Sequence, residues 1–134
     1  MKLSTKSEYS LLILIYLARQ WHAPGYTALE TICSHYQIPL KYAEQLIGVL
    51  KQNRFVNARR GSAGGYRLSK PPENISIAEV IRLMDGALAP TAAVSRYFFE
   101  HTPIEKEAKM IDLLKGIRNH IAAILENTTL SQLV

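Results

Sequence analysis

One cysteine, Cys33, is the only thiol in this chain of 134 residues, so no internal disulfide can form and a reducing compartment suits it. Long apolar runs are missing too. The longest, Leu11 to Ala18, is far too short to cross a bilayer, and no membrane association is expected. Lys2 precedes that run as in an export leader, but Glu8 nearly abuts it and no small-x-small cleavage site follows. A cytoplasmic location is the expectation. Catalytic signatures are lacking: there is no Ser/His/Asp order, no metal-ligand spacing and no phosphate loop, so an enzyme is not expected. Acid is scarce where base is concentrated. Residues 1–70 hold ten Lys/Arg against three Asp/Glu, a balance of +7, whereas residues 71–134 hold six against eight, a balance of −2.

The stretch that organises the rest is 39–70. Leu40, Ala43, Leu46, Ile47 and Leu50 recur at spacings of three and four, predicting a helix with one apolar face. Its other face presents Lys41, Tyr42, Glu44, Gln45, Lys51 and Gln52. The period then changes: Phe55-Val56 opens a strand, Arg59-Arg60 leads into a turn, and Tyr66-Arg67-Leu68 returns as a second strand. Gly61, Gly64 and Gly65 are expected to supply the positive-φ positions of a tight hairpin. Lys41, Lys51, Arg54, Arg59, Arg60, Arg67 and Lys70 face only one acid here, Glu44, a concentration of charge that a polyanion would relieve. A P-loop needs Gly-Lys-Ser/Thr opening a helix, and a dinucleotide fingerprint needs glycines between strand and helix. Gly65 instead runs into a strand, which makes this a wing. Helix plus basic wing is how a winged helix-turn-helix addresses double-stranded DNA, with the helix in the major groove.

Around this stretch, capping boxes place the other helices. Thr5-Lys6-Ser7-Glu8 starts one near residue 5, apolar over a wide arc, with Tyr16 and Trp21 as core or junction aromatics. Thr27-Ala28-Leu29-Glu30 starts a short one through about Tyr36. Cys33 falls on its narrow apolar side, as a small core residue or a reactive thiol. The turn Gln37-Ile38-Pro39 then completes the order helix, turn, helix, hairpin. Pro71-Pro72 breaks the strand, Ser76-Ile77-Ala78-Glu79 caps another short helix, and Gly86 stops it. Val94, Tyr97 and Phe98 suggest a helical turn or two within 87–101. Thr102-Pro103-Ile104-Glu105 is expected to start a helix running to about Glu126, roughly 35 Å long. Its stripe of Ile104, Ala108, Ile111, Leu114, Ile117, Ile121 and Ile124, widened by Met110, Leu113 and Leu125, exceeds what one small core can cover. That predicts a homodimer, whose twofold symmetry suits a palindromic site. The expected fold class is mainly α with a small β-hairpin: a winged helix-turn-helix over 1–86, then a linker and long C-terminal dimerisation helix over 87–134.

Leu3-Ser4-Thr5-Lys6-Ser7-Glu8-Tyr9, Leu40-Lys41-Tyr42-Ala43-Glu44-Gln45-Leu46, Arg60-Gly61-Ser62-Ala63-Gly64-Gly65-Tyr66 and Ala78-Glu79-Val80-Ile81 resemble the Rrf-two (Rrf2) family along essentially the whole chain. The resemblance implies dimeric winged-helix transcription regulators. It implies that Lys41, Tyr42, Glu44 and Gln45 face base edges or phosphates. It further implies that Ser4, Thr5, Lys6 and Tyr9 touch the DNA backbone, and that Arg60 with the following glycines forms the wing contact. Pro39 stands where family members often carry a serine cap. Many members also hold an iron–sulfur cluster on three cysteines between the helix ending near Gly86 and the long helix. Residues 87–102 contain none here, so thiolate ligation is excluded in that segment and no cofactor is expected. His101 with Glu100 and Glu105 could form a hard-metal site, but one His and two Glu around a helix start read rather as solvated. The reading is a cluster-free DNA-binding regulator, expected to repress. The alternative is a protein-interaction adaptor built on a winged helix. Its input is left open among a regulatory protein partner, a small molecule near Tyr97-Phe98-Phe99, and oxidation of Cys33.

Overall fold

Ser4 begins the first ordered element: its hydroxyl accepts from the Ser7 N–H at 3.2 Å and caps helix α1, Thr5–Arg19. In this computed structural model, which describes residues 1–134, the chain continues as α2 (Leu29–Tyr36), α3 (Leu40–Gln52), strands β1 (Val56–Arg59) and β2 (Gly65–Leu68), α4 (Ile77–Asp85) and α5 (Ala108–Asn127). The helix start matches the expectation, but the cap is Ser4 rather than Thr5. α1 runs through the centre of the molecule. Ile13, Leu14 and Leu17 are buried among Ile32, Ile47, Leu50, Val56, Ile75, Val80 and Ile81 in one cluster that also takes in Cys33. Cys33 is thus a core residue. Burial raises its thiol pKa, and the charges of Glu30 and Glu44 push the same way, against thiolate formation.

The second capping box does not form. Ala28 precedes α2 with no side-chain cap, because Thr27 is drawn into the sheet instead. Its N–H donates to the Tyr66 carbonyl at 2.9 Å and its carbonyl accepts from the Tyr66 N–H at 2.8 Å. β1 and β2 pair antiparallel, Val56 opposite Leu68 and Arg59 opposite Gly65, so Thr27 adds a third, one-residue rung to the wing. Gly65 allows this at φ +146°; a Cβ there would lie 2.2 Å from the Thr27 carbonyl oxygen. Gly64 does not adopt positive φ, contrary to expectation. Its constraint is proximity, since a Cβ would lie 2.2 Å from the Arg59 carbonyl oxygen. The Ser76–Glu79 box is present, and Gly86 ends α4 at φ +86° with its N–H on the Arg82 carbonyl.

Beyond Gly86 the prediction departs most. Residues 87–101 hold only one tight turn, Ala92–Val94; Val94 packs inward while Tyr97, Phe98 and Phe99 face solvent. Thr102 and Glu105 do interact, the Glu105 carboxylate accepting from the Thr102 N–H at 3.1 Å, but they bracket a separate 3-10 turn, Pro103–Lys106. The long helix starts at Ala108 and has 20 residues, about 30 Å. After it the chain folds back. Ile77 N–H donates to the Thr128 carbonyl at 2.9 Å, Leu130 N–H donates to the Ile75 carbonyl at 3.0 Å, and Leu130 is fully buried in the main core. The end of the second segment thereby forms part of the first segment's interior.

Candidate nucleic-acid interface

α3 turns Ala43, Leu46, Ile47 and Leu50 into the core, leaving Lys41, Glu44, Gln45 and Lys51 exposed on its opposite side. Leu40 was expected on the apolar face. At the first position of α3 it is exposed instead. Tyr42 is half-buried because its ring meets Tyr9 of α1 edge-on, with centroids 5.8 Å apart. The pair fixes the start of α1 against α3, so Tyr9 acts first as a spacer between helices.

At that same end, Thr5 and Lys6 are exposed, but the Ser4 hydroxyl is already committed. It donates to the Asp85 carboxylate while capping Ser7, and the Ser4 N–H donates to Asp85 at 3.0 Å. Burial pulls the Asp85 pKa upward. The hydrogen bonds from Ser4 and the charge of Lys6 outweigh it and hold the carboxyl below its ordinary value.

The wing completes the surface. Glu44 and Lys51 of α3, Leu29 and Glu30 at the start of α2, and Arg59, Arg60, Gly61, Gly64 and Gly65 of the wing line one open groove. The Thr27–Tyr66 rung holds the wing beside the start of α2, and α2 packs on α3, which brings these distant stretches to one groove. Arg60 and Gly61 form the exposed tip. Not every predicted cation is equally available. The Arg67 guanidinium lies 5.8 Å from the Trp21 ring and 5.7 Å from the Tyr26 ring, and Arg59 lies 5.9 Å from the same tyrosine ring. Lys70 sits 5.0 Å from the Phe55 ring and 3.9 Å from Glu79. The exposed cations of this stretch with neither an ion pair nor an aromatic contact are thus Lys41, Lys51, Arg54 and Arg60. Tyr26 and Trp21 escaped the sequence reading as wing supports. The signal was present: residues 57, 59 and 67 share one face of the hairpin, and two arginines on one face need something beneath them.

α5 offers a different surface. Leu114 and Ala122 are buried within the chain, whereas Met110, Leu113, Ile117 and Ile124 are exposed and Ile111 and Ile121 half-buried. Of the predicted interface stripe, Leu114 is spent on internal packing and Ile104 lies off the helix. No helix is long and apolar enough to cross a membrane.

Residues 3–134 match the family described as "Rrf2: Iron-dependent Transcriptional regulator". The HTH-type transcriptional regulator CymR of Bacillus subtilis is 33% identical over 133 residues, covering 99% of this chain and 89% of that protein. The solved structure of CymR, the global cysteine regulator of B. subtilis, superposes with a TM-score of 0.80 at 32% identity, covering 99% of this chain and 95% of that one. T. potens IscR gives a TM-score of 0.71 at 26% identity, over 99% and 85% of the two chains. The iron in the family description finds no thiolate set in this chain: the lone Cys33 is buried in the N-terminal core, far along the chain from the 87–107 segment. No three His, Cys, Asp or Glu side chains come together that could hold a metal. The His101 ring is bound 3.0 Å from Glu105, whose carboxylate already serves the Thr102 N–H. With the fold, the basic groove and these relatives in agreement, the chain belongs to the Rrf2 family of winged-helix, DNA-binding transcription regulators.

Proposed function

We propose that this protein is a homodimeric repressor that binds palindromic operators in cytoplasmic DNA without an iron–sulfur cluster. The observation that carries the reading is the single groove shared by the α3 polar face and the glycine-tipped wing. Gln45 can pair with an adenine edge and Glu44 can accept from cytosine in the major groove, while Lys41 and Lys51 neutralise flanking phosphates. Arg60 with Gly61 reaches the neighbouring minor groove or its phosphates, a site where a slender backbone and a planar cation fit. Thr5, Lys6 and the α1 N-terminus meet the DNA backbone. Ser4 acts there through its N-cap rather than its hydroxyl, which Asp85 occupies. Arg59 supports the wing by stacking on Tyr26.

The exposed Leu113, Ile117 and Ile124 stripe, with Met110 and half-buried Ile121, supports α5 as the twofold contact. An isologous pairing of two such helices places two α3 helices at symmetric positions, which is what a palindrome requires. Repression then follows from occupancy of the operator, set by a regulatory protein or small-molecule effector.

The test is to capture sheared genomic DNA on the purified protein at near-physiological salt and sequence it. A recovered palindrome is the expected result. Gln45→Ala should weaken binding to that site by about 1–3 kcal/mol and relax one base position. Arg60→Ala should weaken all sequences and flatten the salt dependence. Uniform recovery of every fragment, unchanged by either substitution, would refute the proposal.

A further inference from the structure

Three arginines converge where α4, the 87–101 segment and α5 meet. Arg82 in the last turn of α4 donates to Glu126 of α5 at 2.6 Å and stacks 4.9 Å from the Tyr97 ring. Arg118 of α5 donates through Nη1 to the Val94 carbonyl at 2.9 Å. Its Nε and Nη2 turn to the Asn119 side-chain oxygen at 3.0 and 2.8 Å, and Arg96 Nη2 points to the same oxygen from 3.4 Å. Two guanidinium groups therefore share one neutral acceptor. A carbonyl oxygen has two lone pairs and no net charge, so it neither satisfies three N–H donors nor offsets two cations. Glu126 accepts its hydrogen bond from Arg82 and meets Arg96 only through charge, and the lining of the notch between Arg82, Leu88, Arg96, Tyr97, Phe98 and Arg118 includes no carboxylate.

We propose that this arginine cluster is a binding site for a small oxyanion, a ligand bearing a carboxylate, sulfate or phosphate group. The free space at the centre of the notch is about 10 Å³, the size of one oxygen atom's seat, which suits one oxygen of such a group. A recess of about 310 Å³ that also borders Arg118, lined by Val94, Phe99, Glu105, Ile111 and Lys115, has room for the rest of the molecule, with the Glu105 carboxylate turned to the Thr102 N–H and His101. Arg118 needs only one of its donors to hold Val94; the structural role leaves Arg96, which is exposed, unexplained. The bound oxyanion replaces the Asn119 oxygen as the shared acceptor, with two charge-assisted hydrogen bonds. Its link to regulation rests on the function proposed above. Arg82 lies one turn from Asp85, and Asp85 holds Ser4 at the end of α1 that meets DNA.

The experiment reads the site directly, without DNA. Arginine Nε–H signals of the full-length protein are followed by NMR during titration with sodium sulfate, phosphate or acetate against sodium chloride at matched ionic strength. Saturable shifts at Arg96 and Arg118, absent with chloride, are expected, at least tenfold weaker in Arg96→Gln and unchanged in Arg60→Ala, which removes the wing as a competing site. Saturation by sulfate or phosphate before acetate assigns a phosphoryl- or sulfate-type ligand, and the reverse order a carboxylate. Shifts that match chloride, or that survive Arg96→Gln and Arg118→Lys undiminished, overturn the site. Because no DNA is present, loss of operator binding in a separate assay counts against the regulator reading and leaves this result standing.

Discussion

α3 and α5 both carry an apolar stripe on one side of a helix, yet only α3 finds its counterpart within the chain. Ala43, Leu46, Ile47 and Leu50 are at most 3% exposed, whereas Leu113, Ile117 and Ile124 are 57%, 42% and 52% exposed. The difference follows from what surrounds each helix. α3 is one wall of a core centred on α1, closed by α2, the hairpin and α4. α5 touches that body through α4, two short turns and its C-terminal return, so one side of it has no neighbour. Apolar area left in water forgoes roughly 25 cal/mol per Å² of burial, and this cost is what supports the free side of α5 as the proposed dimer contact. The basic groove is complete in one chain, and the proposed twofold contact needs a second.

The sharpest way to break this comparison is at Leu130, which ties the α5 end of the chain into the α1 core. Leu130→Ala should cost about 3 kcal/mol by thermal or urea denaturation. A loss below about 1 kcal/mol would mean that the return segment is not part of the cooperative unit. Gly65→Ala comes next. Its Cβ would collide with the Thr27 carbonyl at 2.2 Å and hold an alanine at φ +146°, so the wing must detach from its third rung. A loss of about 2 kcal/mol is expected, with weakened DNA binding at temperatures where the protein stays folded. Ile117→Glu should act on the other region alone. Sedimentation should show dimer dissociation rising by a factor of about ten or more, with helicity unchanged in the far ultraviolet. Equal dissociation constants for mutant and parent would remove α5 from the interface.

The smallest effect concerns the joint between the two regions. The hydrogen bond from Arg82, opposed in part by desolvation and aided by the charges of Arg82 and Arg96, holds the Glu126 carboxyl below its ordinary value of 4.5. A carboxylate lowered on folding adds stability above its ordinary pKa, and that contribution is lost as pH falls through the lower, folded value. Stability should therefore drop on acidification below about pH 4.5, and Glu126→Gln should flatten that limb while changing little at neutral pH. An acid limb of the same slope in the mutant would show that the ion pair carries no linkage. Asp85, lowered in the same sense by Ser4, adds to the same acid limb.

How much of this was legible in the sequence differs between the regions for the same reason. Between residues 39 and 70 the signals are local: a 3.6-residue period, a change to strand residues, glycines at the tip. Each is decided within a few residues, and α3 and the hairpin stand where they were expected. From 87 onward the long helix is present, but the turns before it and its start were misplaced because their cues were ambiguous. Thr102 and Glu105 make the side-chain-to-backbone bond of a helix start, but the same bond closes a lone 3-10 turn, and nothing local distinguishes the two. Thr27 failed differently. As a helix cap and as a strand partner it offers the same backbone groups, and the choice was made by Tyr66, remote in sequence.

The sequence alone determined the elements between residues 39 and 70, the basic face of α3 and its wing, the lack of thiolate ligands and the membership that these residues announce, because periodicity, charge and glycine placement act over short range. Only the tertiary structure decided which cations stay free, that Ser4 belongs to Asp85, that Leu130 returns to the first core, and that Arg96 and Arg118 meet over one oxygen. Those are contacts between residues tens of positions apart. Their energy depends on where packing brings each side chain, and no local pattern carries that information.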